Sequence, residues 1–296
     1  MFRILTLLLA VALIGFGVFW YLTRPSTLPD ATFVGITGDA NRGEAVFWAT
    51  GCASCHMADG AKGDAQLVLT GGQKFPSDFG TFIAPNISPD RDQGIGGWTL
   101  PAFANAITRG VSPDGQHYYP ALPYAAYNKM TQQDVADLKS FMDGLPPSAT
   151  ASLPHDIAFP FTIRRGLGLW KLLFLKTDWV LTGDLTDQQT RGRYITEAMA
   201  HCGECHTPRN PIGGLKRGLW LSGAPDPSGK GTIPNITPGK LDWSEDAIVE
   251  YLTSGFTPDF DTASSHMVNV VENMARLPDT DRQAVATYLK ALPPIQ

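Results

Sequence analysis

Residues 4–22 form an unbroken run of 19 positions without a charge, flanked by Arg3 and Arg24. A helix of that length is about 28 Å long, close to the ~30 Å hydrocarbon thickness of a bilayer. Two readings compete, a cleaved secretory signal and a retained anchor. A cleavage site calls for small residues at alternating positions after a shorter apolar core. Here the run ends in Phe19-Trp20-Tyr21, an aromatic cluster of the membrane-interface kind, then Arg24-Pro25. The pattern favours an anchor over residues 1–24, and either reading exports the remaining chain. Beyond a linker at 25–37 the pattern changes to short amphipathic helices between long loops. Val135, Leu138, Phe141 and Met142 mark one face of a helix over 131–145, closed by Pro146-Pro147. Val285, Ala286 and Leu289 do the same over 278–292, closed by Pro293-Pro294. Thr131 and Asp279 are candidate N-caps of these helices, and Thr99 and Ser244 of two middle helices leading into 103–107 and 247–252. Residues 167–175 are apolar but too short to span a bilayer, and are expected to pack between the two halves.

Composition narrows the picture. The chain has 296 residues, enough for two domains, with 43% apolar positions, so it is not disordered. Its 30 Gly and 23 Pro argue against a large parallel sheet and for small domains with long, shaped loops. The net charge of −5 excludes a nucleic-acid partner, which needs a basic face, and suits a basic protein partner.

All four cysteines lie in two copies of one pattern, Cys52-Ala53-Ser54-Cys55-His56 and Cys202-Gly203-Glu204-Cys205-His206. Cys-x-x-Cys-His is the attachment signature of c-type haem. Two thiols at this spacing each close a thioether to a haem vinyl group, and the following His lies under the iron. The alternatives fit less well. Paired zinc knuckles lie ~15–20 residues apart, a thioredoxin-like pair needs a βαβ context, and two local disulfides leave both histidines unexplained. Two covalently bound haem c groups are therefore expected, held by Cys52, Cys55, His56, Cys202, Cys205 and His206.

The motifs belong to a longer repeat. Arg42-Gly43 and Arg191-Gly192 precede them, Pro85-Asn86-Ile87-Ser88-Pro89 and Pro234-Asn235-Ile236-Thr237-Pro238 follow, and Trp98-Thr99 and Gly110 answer Trp243-Ser244 and Gly255. The repeat predicts an all-α architecture: an N-terminal transmembrane helix, then two tandem cytochrome c-type domains at 38–147 and 184–296, joined by a linker at 148–183.

Further stretches carry a family resemblance: Arg191-Gly192 with Tyr194, His201-Cys202 through Thr207-Pro208-Arg209-Asn210, and Tyr119-Pro120-Ala121-Leu122-Pro123-Tyr124. With the Pro-Asn-Ile-Thr-Pro stretch and the linker Trp170-Lys171-Leu172-Leu173-Phe174, they resemble the cytochrome c subunits of membrane-bound alcohol, gluconate and sorbitol dehydrogenases. Those subunits carry three haem domains; this chain has two and adds an N-terminal anchor. The resemblance implies all-α haem domains that pass electrons, and a Met opposite each proximal His. In the second half its pattern falls on Met267, 12 residues after Gly255 in a loop before the terminal helix, with Met274 as competitor. In the first half the matching position is Leu122, which cannot ligate iron. Met130 is the expected replacement, with His117 and an open iron as alternatives. Trp98 and Trp243 are either propionate donors or plain packing, and Arg109 and Arg209 either propionate partners or solvated surface. His155, His201 and His266 are expected to be structural.

The sequence thus reads as a membrane-anchored dihaem electron carrier, not an enzyme, in the inner membrane with its haem domains in the periplasm. Its partners would be a dehydrogenase, a cytochrome bc1-type complex, a terminal oxidase or a soluble cytochrome. The rival readings are a dihaem peroxidase, kept alive by Leu122, and a fixed subunit of a dehydrogenase complex.

Overall fold

The computed structural model describes residues 2–227, 229 and 231–296. The uncharged N-terminal run is helix α1 (Phe2–Leu22), with no residue buried against the rest of the chain. It is the one helix among the described residues long and apolar enough to cross a membrane.

In the first half, α2 (Ala40–Thr50) starts where the Asp39 carboxylate accepts the Asn41 and Arg42 amides at 2.8 and 3.4 Å. It stops at Gly51, whose left-handed backbone (φ 66°) turns the chain directly into α3 (Cys52–His56). A hairpin of β1 (Lys74–Ser77) and β2 (Gly80–Ile83) follows, then α4 (Leu100–Ala104), capped by the Thr99 side chain and widening into a π turn at Asn105–Arg109. Next come the single turn α5 (Tyr124–Tyr127) and α6 (Gln132–Asp143), capped by Thr131. The connecting stretch adds β3 (Asp156–Ile157) to β2 and forms α7 (Gly166–Phe174).

The second half repeats this order. Helix α8 (Asp187–Tyr194) opens with a capping box at Thr186 and Gln189 and runs into a π turn at Ile195–Met199. Then come α9 (Gly203–His206), the pair β4 (Ala224–Pro225) and β5 (Thr232–Ile233), and α10 (Glu245–Ser254), capped by Ser244. Helices α11 (Met267–Met274) and α12 (Asp279–Ala291) complete the half.

The architecture is mostly helical, with three corrections to the sequence reading. Among the described residues, five short strands interrupt the all-α pattern; at two to four residues they are too brief to alternate visibly. Residues 267–274 are helical rather than a loop. The cap of α12 is Pro278, because the Asp279 carboxylate bonds the Arg282 guanidinium instead of the helix amides.

The Arg-Gly repeat has a packing explanation. In α2, Gly43 lies so close to α6 that a Cβ would sit 2.0 Å from the Asp137 carbonyl oxygen; Gly192 of α8 makes the same approach to Ala284 of α12, at 1.9 Å. The neighbouring arginines fix both crossings. Arg42 binds the Asp137 carboxylate through Nε (2.7 Å) and Nη2 (3.0 Å), and Arg191 binds Asp281 at 2.8 and 2.7 Å. Gly192→Ala is expected to destabilise the second half by about 3 kcal/mol, the upper end of overpacking costs. Gly218→Ala, where a Cβ meets nothing within 4 Å, is the control for chemical denaturation.

Helix α7 lies against the foot of α1 and both halves, through Gly168, Trp170, Lys171 and Phe174 rather than through its leucines. Gly168 packs on the Thr23 backbone, Trp170 lies edge-on to Tyr124 and donates to the Ile212 carbonyl at 3.0 Å, and Phe174 covers Gly214. Lys171 points inward, donating to the carbonyls of Arg109 and Gly110 at 2.7 Å and to His117 Nδ1 at 3.1 Å. Burial pulls its pKa down to about 7. The other ring nitrogen of His117 donates to the Thr23 carbonyl at 2.8 Å, so this buried ring is a neutral Nε2–H tautomer.

Burial, aided by Lys171 and Arg165, holds His117 below its ordinary 6.5. Below that pH the unfolded chain binds the proton that the folded chain refuses, so this contribution to stability falls as pH falls. The thermal midpoint should drop from pH 7 to 5 more steeply in the wild type than in His117→Gln; parallel curves would refute this assignment.

Candidate functional site

The two Cys-x-x-Cys-His motifs occupy equivalent places, each on a short helix just after a long one. None of the four cysteines is paired in a disulfide. Burial raises Cys52 and Cys55 to about 11 and Cys202 to about 12, and raises Cys205 as well. A redox-active pair needs the opposite, a lowered thiol pKa. Among the described residues no cluster of His, Cys, Asp and Glu is arranged to hold a metal ion alone. The zinc, disulfide and thioredoxin-like alternatives therefore find no support in the geometry.

Each histidine is held by one specific bond. His56 Nδ1 lies 2.8 Å from the Pro85 carbonyl oxygen, and His206 Nδ1 lies 2.8 Å from that of Pro234. A carbonyl only accepts, so Nδ1 carries the proton in both rings and Nε2 keeps a free lone pair. Burial lowers both histidine pKa values, which keeps the rings neutral. A neutral imidazole oriented through its second nitrogen is the state that binds iron.

The Pro-Asn-Ile repeats build these acceptors. Asn86 Oδ1 accepts the Ser88 amide at 2.9 Å, and Asn235 Oδ1 accepts the Thr237 amide at 2.8 Å, closing matched Asx turns. Their Nδ2 groups reach past the terminal helices, Asn86 to the carbonyls of Ser148 and Thr150 and Asn235 to that of Ile295, all at 2.8 Å. The carbonyls of His56 and His206 in turn accept from Gly71 and Gly223 at 2.7 Å. Each loop is thus pinned on both sides of the ring.

The two motifs also meet. Tyr127 donates to the Thr50 carbonyl at 2.8 Å, and its ring lies edge-on to His201, centroids 5.6 Å apart. Thr50 Oγ1 is 3.3 Å from Cys52 Sγ, and His201 adjoins Cys202, so one contact chain joins the two sites. Helix α11 adds a second seam: Asn273 Nδ2 donates to Ser54 Oγ at 2.8 Å, and the Arg276 guanidinium lies 4.0 Å over Trp48. Tyr127 and Thr50 escaped the sequence reading, because only the fold brings residue 127 against residue 201.

The other candidates divide. Met130 is buried in the turn between α5 and α6, its amide bonded to the Tyr127 carbonyl at 3.0 Å. Leu122 is partly buried against the same core. Met267 opens α11 half-buried, whereas Met274 is buried at its far end. His117 has both nitrogens engaged, Nε2 with the Thr23 carbonyl and Nδ1 with Lys171. Trp98 and Trp243 pack at helix starts, Trp243 against Tyr251 at 5.3 Å. The Arg209 guanidinium binds Glu204, and the Arg109 carbonyl receives Lys171. His155 Nδ1 accepts the Ile83 amide at 3.1 Å, and His266 lies exposed beside Phe75.

Comparison with known proteins agrees with this geometry. Residues 40–146 match the cytochrome c family. A protein described as "Diheme cytochrome c-type", from Cereibacter sphaeroides, is 55% identical over 294 residues, covering 99% of each chain. The chain belongs to the dihaem c-type cytochromes. It therefore carries two covalently bound haem c groups and transfers electrons. This dihaem cytochrome is also 36% identical to the fructose dehydrogenase cytochrome subunit of Gluconobacter japonicus, over 86% of its own length and 52% of the relative's. The gluconate 2-dehydrogenase cytochrome c subunit of Pantoea cypripedii is 34% identical, over 85% and 59%. The cytochrome thus spans little more than half the length of these two dehydrogenase subunits.

Proposed function

We propose that this cytochrome is an electron relay held by α1 as a single-pass anchor in the inner membrane, with residues 38–147 and 184–296 as two haem domains on the periplasmic side. The residues fit haem c: paired thiols for the thioethers and a neutral, oriented imidazole beside each pair. Cys52, Cys55 and His56 would hold one haem, and Cys202, Cys205 and His206 the other. Met130 and Met267 would supply the second axial ligands. The haems supply one-electron redox chemistry when bound; the chain supplies separation, potential and docking. The carrying observation is the matched His–Pro carbonyl bond in both halves, at 2.8 Å each. The contact chain through Tyr127 and His201 supports internal transfer between the two sites.

Likeness to dehydrogenase cytochrome subunits supports a dehydrogenase as electron donor, and the acidic charge suits a basic acceptor such as a soluble cytochrome. The test is to mix the reduced, full-length protein separately with oxidised cytochrome c and with hydrogen peroxide. A relay is oxidised rapidly by the former, in a salt-sensitive reaction, and does not turn over the latter. Peroxide turnover without oxidation by cytochrome c would make the protein a peroxidase instead.

A further inference from the structure

Outside α1, exposed large apolar residues concentrate in one segment: Phe159, Phe161, Ile163, Leu169, Leu172 and Leu173. Three of them make α7 an inside-out helix. Leu169, Leu172 and Leu173, about half exposed, share its outward face, while Lys171 is turned inward onto two backbone carbonyls and His117. A helix facing water does the reverse, with its lysine outside and its leucines buried.

The position of this helix accounts for the inversion. Gly168, on its inner side, approaches Thr23 so closely that a Cβ would lie 2.3 Å from the Thr23 carbonyl oxygen. Thr23 follows the last residue of α1. Arg165 completes the clamp. Its Nε donates to Thr23 Oγ1 at 3.0 Å, and its guanidinium stacks 4.1 Å over the Trp20 ring. If α1 spans a bilayer, its end marks the hydrocarbon edge, and α7 touches that end. The outward leucines then lie at headgroup depth, where an apolar face with flanking arginines is stable.

We propose that residues 159–174 form a second membrane contact, with α7 lying in the headgroup layer and its leucine face on lipid. This inference rests on the anchor reading of α1. Its consequence is orientation: α1 alone leaves the haem-bearing body free to rotate and tilt, whereas a span plus a surface helix fixes which face meets the bilayer. Because Trp170 bonds to the Ile212 carbonyl of the second half, both halves are fixed together.

The test uses the full-length holoprotein in phosphatidylcholine–phosphatidylglycerol vesicles, with p-benzoylphenylalanine introduced singly at Ile14, Leu172, Leu173 or Phe260. Two haems per chain and an unchanged visible spectrum show that each variant folds. Irradiation should give phospholipid adducts at 14, 172 and 173, with yields at 172 and 173 at least about fivefold above the exposed control at 260. Adducts at 14 alone would overturn the surface contact and leave the anchor standing. No adduct at 14 or 172 would overturn the anchor reading as well. Equal labelling at 172 and 260 would overturn the assignment of a specific lipid face.

Discussion

Replacing both Cys202 and Cys205 by alanine is expected to remove one of the two haems and to unfold the second half. The reason lies in what holds that half together. Its Gly- and Pro-rich loop from 207 to 243 contains one two-stranded pair and a three-residue turn as its regular structure among the described residues. The loop is tied to the helices through side chains and single backbone bonds, among them the His206–Pro234 bond, the Gly223–His206 bond and the hydrogen bond of the Trp220 indole to Tyr288 (2.9 Å). A haem held by the two thioethers and His206 would add the remaining link between loop and helices, so its loss should let them separate together. A pyridine haemochrome assay should fall from two haems to one, and limited proteolysis should cut within 184–296 while sparing 38–147. Two haems in the variant would refute the covalent assignment.

The second large effect concerns the distal side. Met130→Leu should turn the first haem high-spin and lower its potential, because a thioether favours ferrous iron. The near-infrared sulfur-to-iron band of the oxidised protein should fall to half. Met267→Leu should do the same to the second haem and leave the first unchanged. The substitutions conserve apolar volume, so the packing cost stays below about 1.5 kcal/mol and the spectral change reports ligation rather than unfolding. A variant with unaltered near-infrared intensity would show that its Met is not a ligand; Met274 would then be next for the second haem.

Much of this molecule was legible because the chain states it twice. The two motifs, the Arg-Gly pairs, the Pro-Asn-Ile stretches and the caps Thr99, Thr131 and Ser244 all stand where the repeat put them. Each carries a physical requirement that local sequence expresses: a helix crossing, an Asx turn or an N-cap. What escaped depends on long-range contact. The strands are too short for periodicity to show. Helix α11 has only two turns, so its apolar positions Met267, Val270, Val271 and Met274 give too short a pattern to separate it from a loop. His117, the alternative to Met130, makes its contacts with Thr23 and Lys171, both remote in sequence. Tyr127 and His201 are 74 positions apart, and nothing in either local sequence announces that they bridge the sites.

Whether both haems sit in a closed relay is decided by combined optical and electron paramagnetic spectra of the purified, full-length, oxidised protein. The expected result is two low-spin haems per chain, each with His and Met axial ligands, a near-infrared band of two-site intensity, and no change on adding peroxide. A high-spin signal from either haem that shifts with peroxide would contradict it, because one iron would then be open and the relay would be a catalyst.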